Sequence, residues 1–293
     1  MQEVWMLKAK IGVIGGSGLY HIEGMADIHE VKPKTPFGDP SDSIVIGKLG
    51  DKTIAFLPRH GRGHFISPTE LPARANIYAL KSLGVEWLIS VNAVGSLKED
   101  IHPLDLVVPD QIIDRTRSRV NSFFEGKGMV AQIPFAEPFC PKLSEIIYKA
   151  VLEVGNNVHK GGTYIVMEGP PFSTRAESAL YRSWGGSIIG MTALPEAKLA
   201  REAEMCYASL SCVTDYDTWH GSEESVTIDM VIANLIRNVD NAKRIIGIAA
   251  AHIPDKRECG CATALKDTIV TDRKKIPQKT KRDLKLLIGK YVK

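Results

Sequence analysis

Glu168-Gly-Pro-Pro-Phe-Ser-Thr-Arg-Ala-Glu177, Gly190-Met-Thr-Ala-Leu-Pro-Glu196 and Thr214-Asp-Tyr-Asp217 are three short pieces of one continuous stretch. Each begins where an apolar, strand-like run gives way to polar residues. In open α/β sheets ligands bind at such points, outside the carboxyl ends of the strands. The first piece offers an aromatic face, Phe172. The second offers a Met191-Thr192 pair opening a helix, and the third two carboxylates, Asp215 and Asp217. Together they suit a nucleoside, with its flat base, its ribose hydroxyls and a leaving group that needs a proton.

Working outward, Lys10–Ile14 reads as an apolar strand ending in Gly15-Gly-Ser-Gly18. Residues 43–48 and 53–57 read as two more strands around the turn at Gly50-Asp51. Arg59-His-Gly-Arg-Gly-His64 then reads as a polar loop. The pattern predicts helices over 68–83, 141–155, 195–204 and 222–248, with another opening at the capping box Thr174-x-x-Glu177. It predicts strands over 87–92, 105–109, 163–167, 187–189 and 207–213. Alternation of this kind implies an α/β fold, a single domain with a central twisted mixed β-sheet flanked by helices. We divide the chain into that domain, residues 1–250, and a C-terminal tail, 251–293.

The tail carries 12 Lys/Arg against 5 Asp/Glu. Its bases are interleaved with Leu284, Leu287, Ile288 and Tyr291 at helical spacing. That favours an amphipathic helix docked on the same domain over a nucleic-acid arm. Over all 293 residues the net charge is only +3, which points to no polyanionic partner. No apolar run approaches the ~18 residues of a membrane span. The first ten residues lack the apolar core of a secretion signal, so the expected location is cytoplasmic.

Several motifs carry chemistry. Gly15-Gly-Ser-Gly18 lets successive backbone N–H groups converge on an anion, with the Ser17 hydroxyl beside them. It lacks the Lys-Ser/Thr of a nucleotide-binding P-loop, and His21 stands where a dinucleotide fingerprint needs its third glycine. Arg59-His60 and Asn92-Ala93 also follow strands, so three anion-friendly elements recur at strand ends. In extended chain Asp215 and Asp217 fall on one side, where they accept from an amine and, if crowded, hold a proton. Among five cysteines the Cys259-Gly-Cys261 pair stands out. It reads as half a metal site, a local redox pair or two partly exposed thiols. No second Cys/His pair has zinc-like spacing, which argues against a metal.

In their joint order these motifs, with Thr35-Pro-Phe-Gly38 and Ala136-Glu-Pro-Phe-Cys140, resemble the trimeric purine nucleoside phosphorylase family. Within it they resemble the branch acting on 5′-methylthioadenosine, and the likeness runs from about residue 10 to 248. The resemblance implies a cofactor-free reaction in which inorganic phosphate displaces adenine. It assigns phosphate to Gly16, Ser17, Arg59, His60, Asn92, Ala93 and Thr192, with Ser17, His60 and Asp215 as the catalytic group. Met191 would face the ribose and Phe172 the base, with Ser173 orienting an aspartate. Asp215 would serve N7 and Asp217 the amino group. Ile228, Val231 and Ile232 would line the methylthio pocket.

Relatives acting on inosine and guanosine carry Glu where this chain has Ser173 and Asn where it has Asp215. A carboxylate accepts from a 6-amino group, so this pocket is polarised for adenine. Mammalian members carry a His before the Ala136-Glu-Pro-Phe-Cys140 run, reaching a neighbour's 5′ pocket; Gln132 here leaves open the alternative of a broader phosphorylase also or preferentially using adenosine, inosine or guanosine. The resemblance also implies a homotrimer or hexamer, and a disulfide at Cys259-Gly-Cys261 as in heat-stable microbial members. A dinucleotide-dependent oxidoreductase would need an acidic residue ending its second strand, where Lys48 stands.

Overall fold

The computed structural model describes residues 8–16, 18, 19, 24–220 and 228–292, with backbone alone at 228–232 and 235. Eleven strands run in chain order: β1 Ile11–Gly15, β2 Ala26–Val31, β3 Ile44–Leu49, β4 Lys52–Pro58, β5 Trp87–Ser96, β6 Leu106–Val108, β7 Gln111–Arg115, β8 Val158–Lys160, β9 Thr163–Met167, β10 Gly186–Gly190 and β11 Cys206–Asp215. The helices are α1 Ala73–Ser82, α2 Pro141–Val154, α3 Arg175–Ser183, α4 Ala193–Glu202, α5 Ile228–His252, α6 Gln278–Asp283 and α7 Lys285–Ile288.

All strands join one mixed sheet that forks at β5. The lower part of β5 lies between β1 and β11, parallel to both. Its far end turns away and pairs antiparallel with β10 at Gly95 and Ser96. β5 is therefore longer than its apolar run suggests, and Asn92-Ala93 lie inside it rather than after it. The strands missing from the sequence reading are β2, β7 and β8, which are polar or largely exposed and carry no apolar run. α1 starts at Ala73, five residues later than expected from Pro68, because Pro68–Glu70 form a turn.

Side chains of the central strands alternate between two cores, as period-2 geometry requires. Ile14, Leu88, Val94, Tyr207 and Val213 point to the side covered by α1 and α4. Trp87, Ile89, Val91, Ala208 and Leu210 point to the side covered by α2 and α5. α2 opens on Pro141 and stops at Gly155 in the left-handed conformation (φ +85°). α3 has the expected capping box, Thr174 and Glu177 each bonding the other's backbone N–H.

The tail divides between the two cores: Ile253 and Cys261 enter the α2/α5 side, and the chain from Leu265 onward packs on the α1/α4 side. Leu265, Ile276, Leu284, Leu287, Ile288 and Val292 enter that core. A break at Leu284 divides the terminal apolar spacing between α6 and α7. Glu204 fastens the segment: it accepts from the Leu265 N–H and the Tyr291 hydroxyl and pairs with Lys290. Among the described residues no helix is long and apolar enough to cross a membrane.

One buried ion pair ties the sheet to α4. Arg59, just past β4, donates from Nε to Glu196 Oε1 at 2.5 Å, and both side chains are almost wholly buried. Its other donors reach Val91 O, Ile14 O and Ser90 Oγ, so one guanidinium bridges β1, β4, β5 and α4. The motif read as a polar loop is thus core at its first residue. Removing one member of a buried pair strands the other charge, at about 3–5 kcal/mol. Glu196→Ala should lower the unfolding free energy by that amount, measured by urea unfolding against the wild type.

Candidate active site

A cavity of about 580 Å³ opens where the carboxyl ends of β1, β4, β5, β9, β10 and β11 converge. Gly16, Arg59, His60, Ala93, Thr192, Met191, Phe172, Asp215 and Asp217 all line it. The fold thus brings these nine residues of the expected site to one place. Ser17 lies outside the described residues.

The end near β1 and β4 is suited to an anion, though not through free cations. The Arg59 guanidinium is engaged with Glu196 and three strand oxygens, leaving an Nη1 hydrogen as its reach toward a ligand. Burial opposes its charge, but Glu196 outweighs that and raises its pKa. His60 is buried, and burial together with the Arg59 charge pushes it down to about 4. Its Nδ1 lies 2.8 Å from the Ile66 carbonyl, which only accepts, so Nδ1 carries the proton and Nε2 a lone pair. His60 is therefore a neutral imidazole with an acceptor at Nε2 rather than the donor to an anion expected of the Arg59-His60 pair. Asn92 does not line the cavity. Its Oδ1 accepts from the Thr192 hydroxyl at 2.7 Å, while its Nδ2 is held by Ser209. Asn92 thus acts through Thr192, which stands at the N-cap position of α4 and spends its hydroxyl on Asn92 rather than on a capping bond.

The opposite end is carboxylate-rich. Asp215 ends β11; its Oδ2 accepts from the Thr214 hydroxyl at 2.6 Å and its Oδ1 from the Asp217 N–H at 2.8 Å. Asp217 has left the strand: its φ is +48° and it opens a single 3₁₀ turn. The two carboxylates share the cavity through this turn, not through strand alternation. Burial raises the pKa of Asp217, with the neighbouring Ser178, the Thr218 N–H and Ser173 opposing. Asp217 Oδ2 is buried with no hydrogen-bond partner among the described residues, an acceptor open to a ligand amine. Ser173 is buried beside Met167, off the cavity lining. Position 95 must be glycine here, since a Cβ would meet Asp215 Oδ1 at 2.9 Å and Ile189 at 3.2 Å.

Sequence reasoning missed Arg119. This buried guanidinium donates to the carbonyls of Glu168, Met191 and Leu194, with Met167 more distant. It clamps the Glu168-Gly-Pro170 turn to the Met191–Leu194 segment, so two walls of the cavity move as one. On α5, Asn238, Val239 and Ala242 line the cavity, about two to three turns beyond Ile232, the last residue of the expected lining. The side chains of Ile228, Val231 and Ile232 lie outside the described residues. Gln132 is exposed and off the lining of this cavity.

Residues 10–251 match the sequence pattern of the Phosphorylase superfamily. The chain belongs to that superfamily. This phosphorylase is 56% identical over 283 residues to the S-methyl-5′-thioadenosine phosphorylase of Geobacter sulfurreducens, covering 96% of this chain and 99% of its relative. Its fold matches the crystal structure of a methylthioadenosine phosphorylase from an antarctic soil metagenomic library (TM-score 0.92, 48% identity, 96% and 99% of the two chains). It also matches a double mutant of the adenosine/methylthioadenosine phosphorylase of Schistosoma mansoni in complex with adenine (TM-score 0.83, 36% identity, 90% and 100% of the chains).

Because the folded protein holds His60 neutral, His60 contributes stability above pH 6.5 that is lost as pH falls toward 4. The full loss is roughly 3 kcal/mol. Unfolding free energy measured from pH 7.5 to 4.5 should fall less steeply in His60→Gln than in the wild type. Parallel curves would show that His60 takes no part in the acid response.

Proposed function

We propose that this phosphorylase cleaves 5′-methylthioadenosine with inorganic phosphate, giving adenine and 5-methylthioribose-1-phosphate, a step of purine and methionine salvage. The observation that carries this reading is the polarity of one cavity. An anion-suited end built on Gly16, Arg59, His60, Ala93 and Thr192 faces an end with two aspartates, buried Asp215 and half-buried Asp217.

Glycosidic cleavage passes through an oxocarbenium-like state. Phosphate held beside the anomeric carbon stabilises that charge and supplies the nucleophile. The His60 lone pair accepts the phosphate hydroxyl, while the Thr192 end of α4 and backbone N–H groups near Gly16 and Ala93 receive its oxygens. Ser17 adds a hydroxyl, and Asn92 keeps Thr192 in place. Met191 packs on the ribose and Phe172 on the base. Asp215 delivers or shares a proton at N7 as the base departs. Asp217 Oδ2 accepts from the 6-amino group, with Ser173 orienting that carboxylate. An apolar lining from α5 suits the methylthio group, and Ile228, Val231 and Ile232 extend it.

The reaction needs no cofactor. The half-exposed Phe172 at the base end suits a site completed by a neighbouring subunit, so we read the protein as a cytoplasmic homotrimer, or a hexamer of trimers. The small net charge of +3 gives no reason to add a nucleic-acid partner.

The test is base release from 5′-methylthioadenosine, adenosine and inosine, each with and without phosphate. Phosphate-dependent adenine release, fastest from methylthioadenosine, is expected. Faster release from inosine would overturn the base pocket, and release indifferent to phosphate would overturn the anion end. Asp215→Asn should lose about a hundredfold or more in kcat on adenine nucleosides and less on inosine. Equal loss on both would reduce Asp215 to a structural group. Arg119→Ala frees the two walls it clamps and should lower kcat/KM by up to about a hundredfold, with the protein still folded by circular dichroism.

A further inference from the structure

Away from the cavity, the fold assembles four thiols that are scattered in sequence. Cys140 is the N-cap of α2, and Cys206 is the first residue of β11. Cys259 and Cys261 flank Gly260 where a 3₁₀ turn follows α5. All four Sγ atoms lie within 4.8 Å of one another. Cys259 Sγ is 3.7 Å from Cys140 Sγ and 3.3 Å from Cys206 Sγ. All five cysteines are free, and the fifth, Cys212, lines the cavity instead. The spacing argument against a metal considers ligands near in sequence; here the partners of Cys259-Gly-Cys261 arrive from 53 and 119 residues away.

The spacing of the cluster is diagnostic. Four sulfurs at ~2.3 Å from one tetrahedral zinc stand about 3.8 Å apart. A disulfide needs its sulfurs at about 2.05 Å, and pairs them two by two rather than gathering all four. Three of the four thiols are buried and Cys259 is half-buried, so the group is closed rather than a solvent-facing pair. Thiolate donors alone select soft or borderline metals, and zinc accepts a tetrahedron without geometric strain. The α2 N-terminus, where Cys140 sits, favours the thiolate form.

We propose that Cys140, Cys206, Cys259 and Cys261 form a structural tetrathiolate zinc site. On binding, each thiol gives up its proton to solvent and its sulfur bonds the metal, leaving no open coordination position. None of the four lines the cavity, so the metal takes no part in the reaction. Its effect is to fasten the segment after α5 to the starts of α2 and β11.

The experiment is elemental analysis of protein purified with a thiol reductant and without chelator. About one zinc per chain is expected, retained through dialysis. Cys259→Ser and Cys261→Ser should each cut the bound zinc by about fivefold or more. Wild-type protein stripped and reloaded with cobalt(II) should show thiolate-to-cobalt charge-transfer and tetrahedral ligand-field absorption, a readout independent of the variants' folding. Zinc below about a tenth per chain, with no cobalt–thiolate band, would overturn the site. So would non-reducing peptide mapping that finds Cys259 linked to Cys261, or any two of the four joined, in the reductant-purified protein.

Discussion

The buried pair of Arg59 and Glu196 is the interaction on which the site geometry rests. One guanidinium holds the ends of β1, β4 and β5 against α4, and the carboxylate that neutralises it also accepts from the Tyr207 hydroxyl on β11. Placing a full charge there is unfavourable without a partner, and Glu196 supplies it. The consequence reaches one residue further. The Arg59 charge helps keep His60 neutral, so the residue that follows the ion pair presents a lone pair to the cavity.

The cavity is therefore organised by proton placement more than by net charge. At one end a neutral imidazole is fixed as an Nδ1–H tautomer by the Ile66 carbonyl. At the other, burial raises the pKa of Asp217, and one of its oxygens has no hydrogen-bond partner among the described residues. Asp215 is held from both sides, by Thr214 and by the Asp217 N–H. β5 makes the arrangement possible because it forks the sheet: its lower half aligns β1 and β11, and its far end brings β10 beside the aspartates at Gly95.

Much of this is legible in the sequence for a physical reason. Phe172, Met191, Thr192, Asp215 and Asp217 sit where apolar runs stop, and a parallel sheet gathers such points on one edge. The capping box of α3 and the glycine stop of α2 are local, and both appear as read. What escapes is non-local or polar. Arg119 has carbonyl partners 48 to 75 residues away and looks like one base among several in a loop. The thiol cluster has the same character. Edge strands such as β2, with five exposed residues of six, carry no apolar signature. The Asp217 turn was hidden because two residues of extended chain and an Asp-stabilised turn share one pattern.

The fixed tautomer of His60 has a bearing on anion choice. Sulfate matches dianionic phosphate in size and charge, yet at neutral pH it has no hydrogen to offer. In the proposed phosphate end it would set an oxygen lone pair against the lone pair of Nε2, whereas hydrogen phosphate would donate there. Rejecting an isosteric competitor by an unmatched acceptor is more effective than rejecting it by shape. In that proposed site a single ring nitrogen, oriented by the Ile66 carbonyl, would separate two inorganic ions that neither the Arg59 charge nor the cavity's volume would distinguish.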